Sequence, residues 1–281
     1  MKQNIENKVL ELENNGFKVS LNHVFGNAGN IFKGIAGYGI LAVIIYGIVT
    51  WIISILVGLV IPSPDIDQAE LESIMRAGDS EMIKDYYIET FSNASSIASP
   101  LISNILSAVM YPILYSIYTM AYKYDHFQKL DFSDIFIHYK DGKFFNLFIT
   151  TLIIQVVASI GIVLCVIPGF IVYAMWILAI PLIIFADADM KEALTHSMKL
   201  AFKDFGSFIL LVLGIIGVAI VCAIIGIILC CVGLFVTIPI LYVLIPIFIY
   251  SMYKEVIGFS DHRSDIEEIG TDIYSDNPYM K

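Results

Sequence analysis

The chain has 281 residues, 58% hydrophobic and 15% charged, where a soluble domain carries about 25% charged residues. Its mean hydropathy is +0.81, more apolar surface than a soluble core needs, and its net charge of −10 argues against a nucleic-acid partner.

The positions that lack charge locate the membrane segments. No Asp, Glu, Lys, Arg or His occurs in 34–64, 90–122, 144–186 or 205–253. A charge at the bilayer centre is costly, and a span needs about 20 apolar residues. The first two stretches hold one span each, whereas the last two, of 43 and 49 residues, hold two each. Ile167-Pro168-Gly169 divides the third stretch and Cys231-Val232-Gly233 the fourth. The expected fold is all-α: a polytopic membrane protein with six helices at 35–61, 97–122, 146–167, 170–186, 207–231 and 234–253.

In chain order, a polar segment at 1–33 comes first. The apolar run after it is far longer than the roughly 7–15 residues of a signal-peptide core, so it is expected to remain as a span. The acidic loop 62–96 reads as two short helices broken at Ala77-Gly78-Asp79, with Asp79 capping the second. The membrane domain covers 34–255, and an acidic tail, 256–281, is expected to be disordered. Fourteen of the sixteen Lys and Arg residues lie in the termini and in the second and fourth loops. The loop 62–96 has only Arg76 and Lys84. By the positive-inside rule both termini are cytoplasmic.

The two long apolar stretches align with each other. GIVLCVIPGFIVYAMWILAIP (161–181) matches GIILCCVGLFVTIPILYVLIP (226–246) without a gap, and Tyr111-Pro112 echoes Ile180-Pro181 and Ile245-Pro246. The expectation is three pseudo-repeated hairpins with a proline kink in the second helix of each. The alternative is chance, since Ile, Leu, Val, Gly and Pro are common in spans. Each hairpin is preceded by a segment with helical pattern on the cytoplasmic side, beginning near Ser20, at Ser133 and at 189. In 189–205, Met190, Leu194, Ser197, Ala201 and Phe205 share one face, and Glu192, His196, Lys199 and Lys203 the other. This reads as an interfacial helix with Lys191, Lys199 and Lys203 toward anionic lipid.

Candidate functional residues are few. The five histidines lie outside the spans and show no metal-ligand spacing, so they read as surface residues. Cys165 and Cys230 hold equivalent repeat positions; they read as small packing residues or, alternatively, as a disulfide. Asp187 and Asp189 read as an interfacial gate or, with Glu192, as a helix cap at Asp189. The second span carries a polar stripe of Asn104, Ser107, Tyr111, Tyr115 and Tyr118. Deep polar groups need partners, so the stripe is either interhelical glue or the wall of a lipid groove. Gln155 is the other deep amide. No catalytic residue, metal site or cofactor motif is expected.

The stretch 167–211 resembles the membrane domain attached to some glycerophosphoryl diester phosphodiesterases and the YciC-type six-span bacterial proteins of unknown function. The matching elements are Pro168-Gly169-Phe170, Pro181, Ala193-Leu194, Ser197 and Leu200. The resemblance implies an envelope protein and carries no catalytic residue, since catalysis in those phosphodiesterases belongs to a separate soluble barrel. The expectation is a non-catalytic membrane protein that interacts with membrane lipids or acts as an accessory to another membrane protein. The alternative is a small-solute transporter or channel.

Overall fold

The computed structural model describes residues 2–61, 68–92, 94–164, 166–229 and 233–259. The described residues are helical with connecting turns: α1 (Lys2–Asn15), α2 (Leu21–Val60), α3 (Gln68–Ala77), α4 (Ser80–Ser92), α5 (Ala94–Ala108), α6 (Tyr111–Asp125), a 3-10 helix (Phe132–Tyr139), α7 (Phe144–Leu164), α8 (Val166–Met175), α9 (Ala179–Ala186), α10 (Met190–Lys203), α11 (Phe205–Ile228) and α12 (Leu234–Val256). Six helical segments among these residues are long and apolar enough to cross a membrane. They fall in the six stretches expected from the charge pattern. The cysteine pair Cys165 and Cys230 lies outside the described residues, as does most of the acidic tail.

α6 sits at the centre, packed on α2, α12, α7, α9 and the 3-10 helix, while α2 also runs along α12. The core is apolar and aromatic, with Tyr250, Tyr253, Phe208, Ile35, Ile117 and Met120 fully buried. In a bilayer the tails are as apolar as these side chains, so it is close packing rather than escape from water that holds such a core together. The outward faces are apolar too: Leu41, Ile48, Trp51, Leu59, Ile224 and Ile228 are exposed. Such a belt fits lipid as its solvent.

The segment near Ser20 is not a separate interfacial helix. It is the first half of α2, whose 40 residues extend about 60 Å, twice a hydrocarbon core of about 30 Å. No proline interrupts residues 21–60, so nothing ends the helix where its surface changes. Asn22, His23, Asn27, Asn30 and Lys33 are exposed in its first half, and apolar side chains in its second. Glycines in this helix let neighbours approach. A Cβ on Gly39 would lie 3.0 Å from Val243 Cγ1, and one on Gly34 would overlap the Tyr124 ring.

Two expected spans are broken. The second splits into α5 and α6 around Val109-Met110, and the fourth into α8 and α9 across residues 176–178. Pro112 is at the second position of α6 and Pro181 at the third of α9. The residues before the two helices share one geometry, Met110 at φ −89°, ψ −12° and Leu178 at φ −89°, ψ −2°. Pro246, expected to be equivalent, lies inside the continuous α12. So two prolines start a new helix after a break and the third does not.

The segments expected at the membrane surface pack against the helices of the bundle. The 3-10 helix packs on α6, and α10 on α9, α8 and α7. The 3-10 helix begins one residue earlier than expected and is capped by Asp131, which accepts from the Ser133 amide at 3.0 Å. α10 begins with the expected cap: Asp189 accepts from the Glu192 amide at 2.8 Å and its own amide donates to Glu192 at 3.2 Å. Asp187 pairs with Lys143 at 2.6 Å. The buried face of α10 is Ala193, Ser197, Leu200 and Ala201, rotated from the expected one. Its polar face is partly covered by α1: Glu13 meets His196 Nδ1 at 2.5 Å and Lys199 Nζ at 3.1 Å. Lys199 is therefore held by protein, whereas Lys191 and Lys203 stay exposed.

Between loop residues 62 and 96, α3 and α4 are the expected pair of helices. Gly78 turns between them at φ +69°, and Asp79 accepts from the Glu81 amide at 2.9 Å.

Candidate functional site

The breaks in the second and fourth spans open onto one cavity of about 350 Å³. α6 contributes Tyr111, Leu114, Tyr115 and Tyr118; α8 contributes Phe170 and Tyr173; Trp176, Ile177 and Ile180 follow from the α8–α9 break. Ile154 of α7, Val212, Ile215 and Ile216 of α11, and Tyr242, Ile245, Pro246 and Ile249 of α12 complete the wall. Among the described residues, no acidic or basic side chain lines it. Its polar atoms come from five phenols, one indole and the backbone.

The three phenols of α6 form a continuous set. Tyr111 and Tyr115 have ring centroids 5.9 Å apart, and Tyr115 and Tyr118 6.2 Å. On the other side of Tyr111, Tyr46 of α2 makes an edge contact at 5.5 Å. Tyr115 Oη lies 2.8 Å from Thr151 Oγ1, and Thr151 Oγ1 donates to the Leu147 carbonyl at 2.6 Å. The Thr151 hydroxyl thus has two partners, the Leu147 carbonyl and the Tyr115 phenol, and either hydroxyl can be the donor between Tyr115 and Thr151.

Each break is closed by a hydroxyl from an element outside the spans. Tyr139 of the 3-10 helix donates to the Val109 carbonyl at 2.8 Å. Burial pushes the Tyr139 phenol up to about 12, which keeps its proton in place at neutral pH. Ser197 of α10 donates to the Met175 carbonyl at 2.9 Å and accepts from the Leu178 amide at 3.2 Å. Broken backbone in an apolar layer needs such partners.

Beneath the cavity, at the lysine-rich end of the bundle, ion pairs hold the helices together. Lys123 meets Asp134 at 2.5 Å, and Asp125 binds Lys254 at 2.6 Å and the Tyr250 hydroxyl at 2.8 Å. Lys143 also donates to the Ile184 carbonyl. His138 is not a surface residue: it is 1% exposed, 2.7 Å from Asp141 and 3.3 Å from Thr119. It lies in the 3-10 helix, whose buried face the sequence pattern did not reveal. Burial tends to raise the Asp141 carboxyl, but hydrogen bonds from His138 and the Lys143 amide outweigh it and hold the group below the usual carboxylate range.

Of the five stripe residues, Tyr111, Tyr115 and Tyr118 line the cavity and Asn104 and Ser107 do not. The latter two precede the break, and Asn104 is exposed on α5. A stripe drawn on one straight helix cannot survive a break at 109–110. Tyr173, Trp176 and Tyr242 were missed. The repeat alignment contains the signal for part of this wall. At its offset of 65, Ile177 pairs with Tyr242 and Ile180 with Ile245, and all four line the cavity. The residues before the three prolines, Tyr111, Ile180 and Ile245, are all on the wall.

Fold and site together define a polytopic α-helical membrane protein with an uncharged, phenol-lined internal cavity. No family model, no curated protein and no solved structure matches the chain. The resemblance drawn from 167–211 therefore rests on those residues themselves.

Proposed function

We propose that this is a non-catalytic protein of the bacterial cytoplasmic membrane, with both termini in the cytoplasm, that holds a membrane lipid in the cavity beside the two helix breaks. The observation that carries the reading is the lining: five phenols and an indole among aliphatic side chains, with no acidic or basic group. Apolar walls with a few convergent polar atoms are the usual make-up of a small-molecule site, and about 350 Å³ lies at the low end of the range of roughly 300–1,000 Å³ for such sites. Its rim reaches the lipid-facing surface through Phe170, Tyr173 and Tyr242, which are 37%, 40% and 42% exposed. The distribution of lysines supports the orientation, and the similarity of 167–211 to six-span envelope proteins supports the setting.

A transporter of small solutes is the competing reading. Ion- or proton-coupled transport uses charged side chains inside the membrane, and the cavity has none.

The test is lipid retention. Ile216→Trp places an indole in the cavity without adding charge. Native mass spectrometry of protein extracted in mild detergent should show a lipid adduct on the natural chain and its loss from Ile216→Trp, with both forms monodisperse. Equal adduct on both would overturn the reading. Impermeant thiol labelling of single cysteines at Ser80 and Ser264 tests the orientation separately, with Ser80 expected to label in intact spheroplasts.

A further inference from the structure

We propose that a second cavity, between α2 and α12 at the lysine-rich end of the bundle, binds a phosphoethanolamine headgroup, that of a phosphatidylethanolamine in the adjoining membrane leaflet. It shares no lining residue with the phenol-lined cavity, and the proposal stands apart from what that cavity holds.

The space is about 110 Å³, lined by His23, Asn27 and Ile31 of α2 and by Ser251, Lys254 and Glu255 of α12. Sites for whole small molecules start at roughly 300 Å³, so this one suits a headgroup whose chains lie outside it. Its depth is that of headgroups. The charge-free stretches begin at 34 on α2 and end at 253 on α12, and the lining residues lie around those limits. Ile31 and Ser251 are buried, and the other four are exposed.

Ser251 is the residue that calls for a ligand. It is 5% exposed, and its Oγ is buried without a hydrogen-bond partner among the described residues. A helical hydroxyl can bond the carbonyl four residues back, as Thr50 and Thr151 do, but Ser251 does not. Leaving such a group unpaired costs stability, so a ligand atom that pairs with it gains.

The charges on the wall select a zwitterion. Lys254 gives one N–H to Asp125 at 2.6 Å and keeps two more donors. Glu255 has His23 Nδ1 at 3.6 Å, beyond hydrogen-bond length, so its carboxylate can accept from a ligand. An anion alone would meet Glu255, and a cation alone would meet Lys254. Phosphoethanolamine carries both charges: its ammonium suits Glu255 and Ser251, and its phosphate suits Lys254 and Asn27. A choline head has the same charges but no N–H for Glu255, and phosphatidylglycerol has no cation.

The test is headgroup selectivity, read by native mass spectrometry of the full chain in detergent. The probes are dioleoyl phosphatidylethanolamine, phosphatidylcholine and phosphatidylglycerol. The natural chain should bind the first about tenfold more tightly than the others, the scale of one charge-assisted hydrogen bond. Glu255→Gln should abolish that preference. Glu11→Gln, the same charge change at an exposed position of α1, should retain it. Ser251→Ala should weaken phosphatidylethanolamine severalfold, yet melt in lipid-free detergent no lower than the natural chain, since no protein partner is lost. A serine with only a structural role would instead lower the melting temperature and leave selectivity unchanged, which overturns the proposal. So does equal binding of the three lipids, or a preference that survives Glu255→Gln. Glycerophosphoethanolamine, the head without its chains, separates the sources. It should not displace the lipid at equal concentration; if it does, the membrane source is overturned and the headgroup chemistry belongs to a soluble molecule.

Discussion

Ser197→Ala should be among the most damaging single-atom deletions in this protein. The side chain is fully buried, and its hydroxyl satisfies both sides of the α8–α9 break, the Met175 carbonyl at 2.9 Å and the Leu178 amide at 3.2 Å. Removing it orphans a backbone acceptor and a backbone donor at once. Each orphaned group costs about 1–3 kcal/mol when nothing replaces the partner. Interhelical hydrogen bonds in membranes average only about 0.6 kcal/mol, because the chain finds other partners. The break offers few alternatives: its Met175 and Leu178 groups lie between α8 and α10, away from water. The expected loss is therefore about 2–5 kcal/mol, or roughly 5–15 °C in the unfolding temperature of a chain this size. Ser116→Ala is the control. Ser116 is equally buried, but its hydroxyl only back-bonds to the Ile113 carbonyl of its own helix at 2.6 Å, so its loss should cost about 1 kcal/mol or less. Thermal unfolding in one detergent, followed by size-exclusion fluorescence, compares the two. Melting temperatures within about 2 °C of each other, under the same scale, would refute the argument that the break depends on this hydroxyl.

Four further outcomes follow from the same geometry. Gly39→Ala puts a methyl 3.0 Å and 3.1 Å from the two Cγ atoms of buried Val243 and should destabilise by about 1–3 kcal/mol. Gly47→Ala, with nothing within 4 Å, should be neutral or stabilise by up to about 1 kcal/mol; melting curves distinguish the signs. Glu13→Ala removes the carboxylate shared by His196 and Lys199, and limited trypsin digestion after Lys8 and Lys18 should accelerate severalfold as α1 loosens. Asp141 has a folded-state pKa below its unfolded value. Its contribution is thus fully present above the usual carboxylate range and lost as pH falls through the lower folded value. Asp141→Asn should melt below the natural chain at pH 7, and the gap should narrow as the pH drops below about 4.

The charge-free stretches made the six spans legible, because expelling charge is the strongest rule a bilayer imposes on sequence. Local caps were legible as well: Asp79 and Asp189 are short-range motifs, each set by residues within one turn. What escaped was set over longer range. The unbroken α2 looked like an interfacial segment plus a span, because its surface changes from polar to apolar where its backbone does not change. The docking of α1 on α10 depends on Glu13 meeting His196 and Lys199 more than 180 positions away, and no local pattern records that. His138 looked like a surface residue because its burial and its Thr119 partner come from packing the 3-10 helix on α6, even though Asp141 lies only three residues on.

The prolines show where sequence and structure inform each other most. Pro112 and Pro181 both open a helix after a break, and each break is closed by a hydroxyl from the next element in the chain, Tyr139 for the first and Ser197 for the second. Pro246 follows no break and α12 runs through it, so the Tyr242 carbonyl loses a donor without the backbone unwinding to find another. Such groups in an apolar layer are tolerated where they face protein or a lined cavity. The residues preceding all three prolines, Tyr111, Ile180 and Ile245, line one cavity wall, so the three proline sites gather around a single place whether or not the helix breaks there.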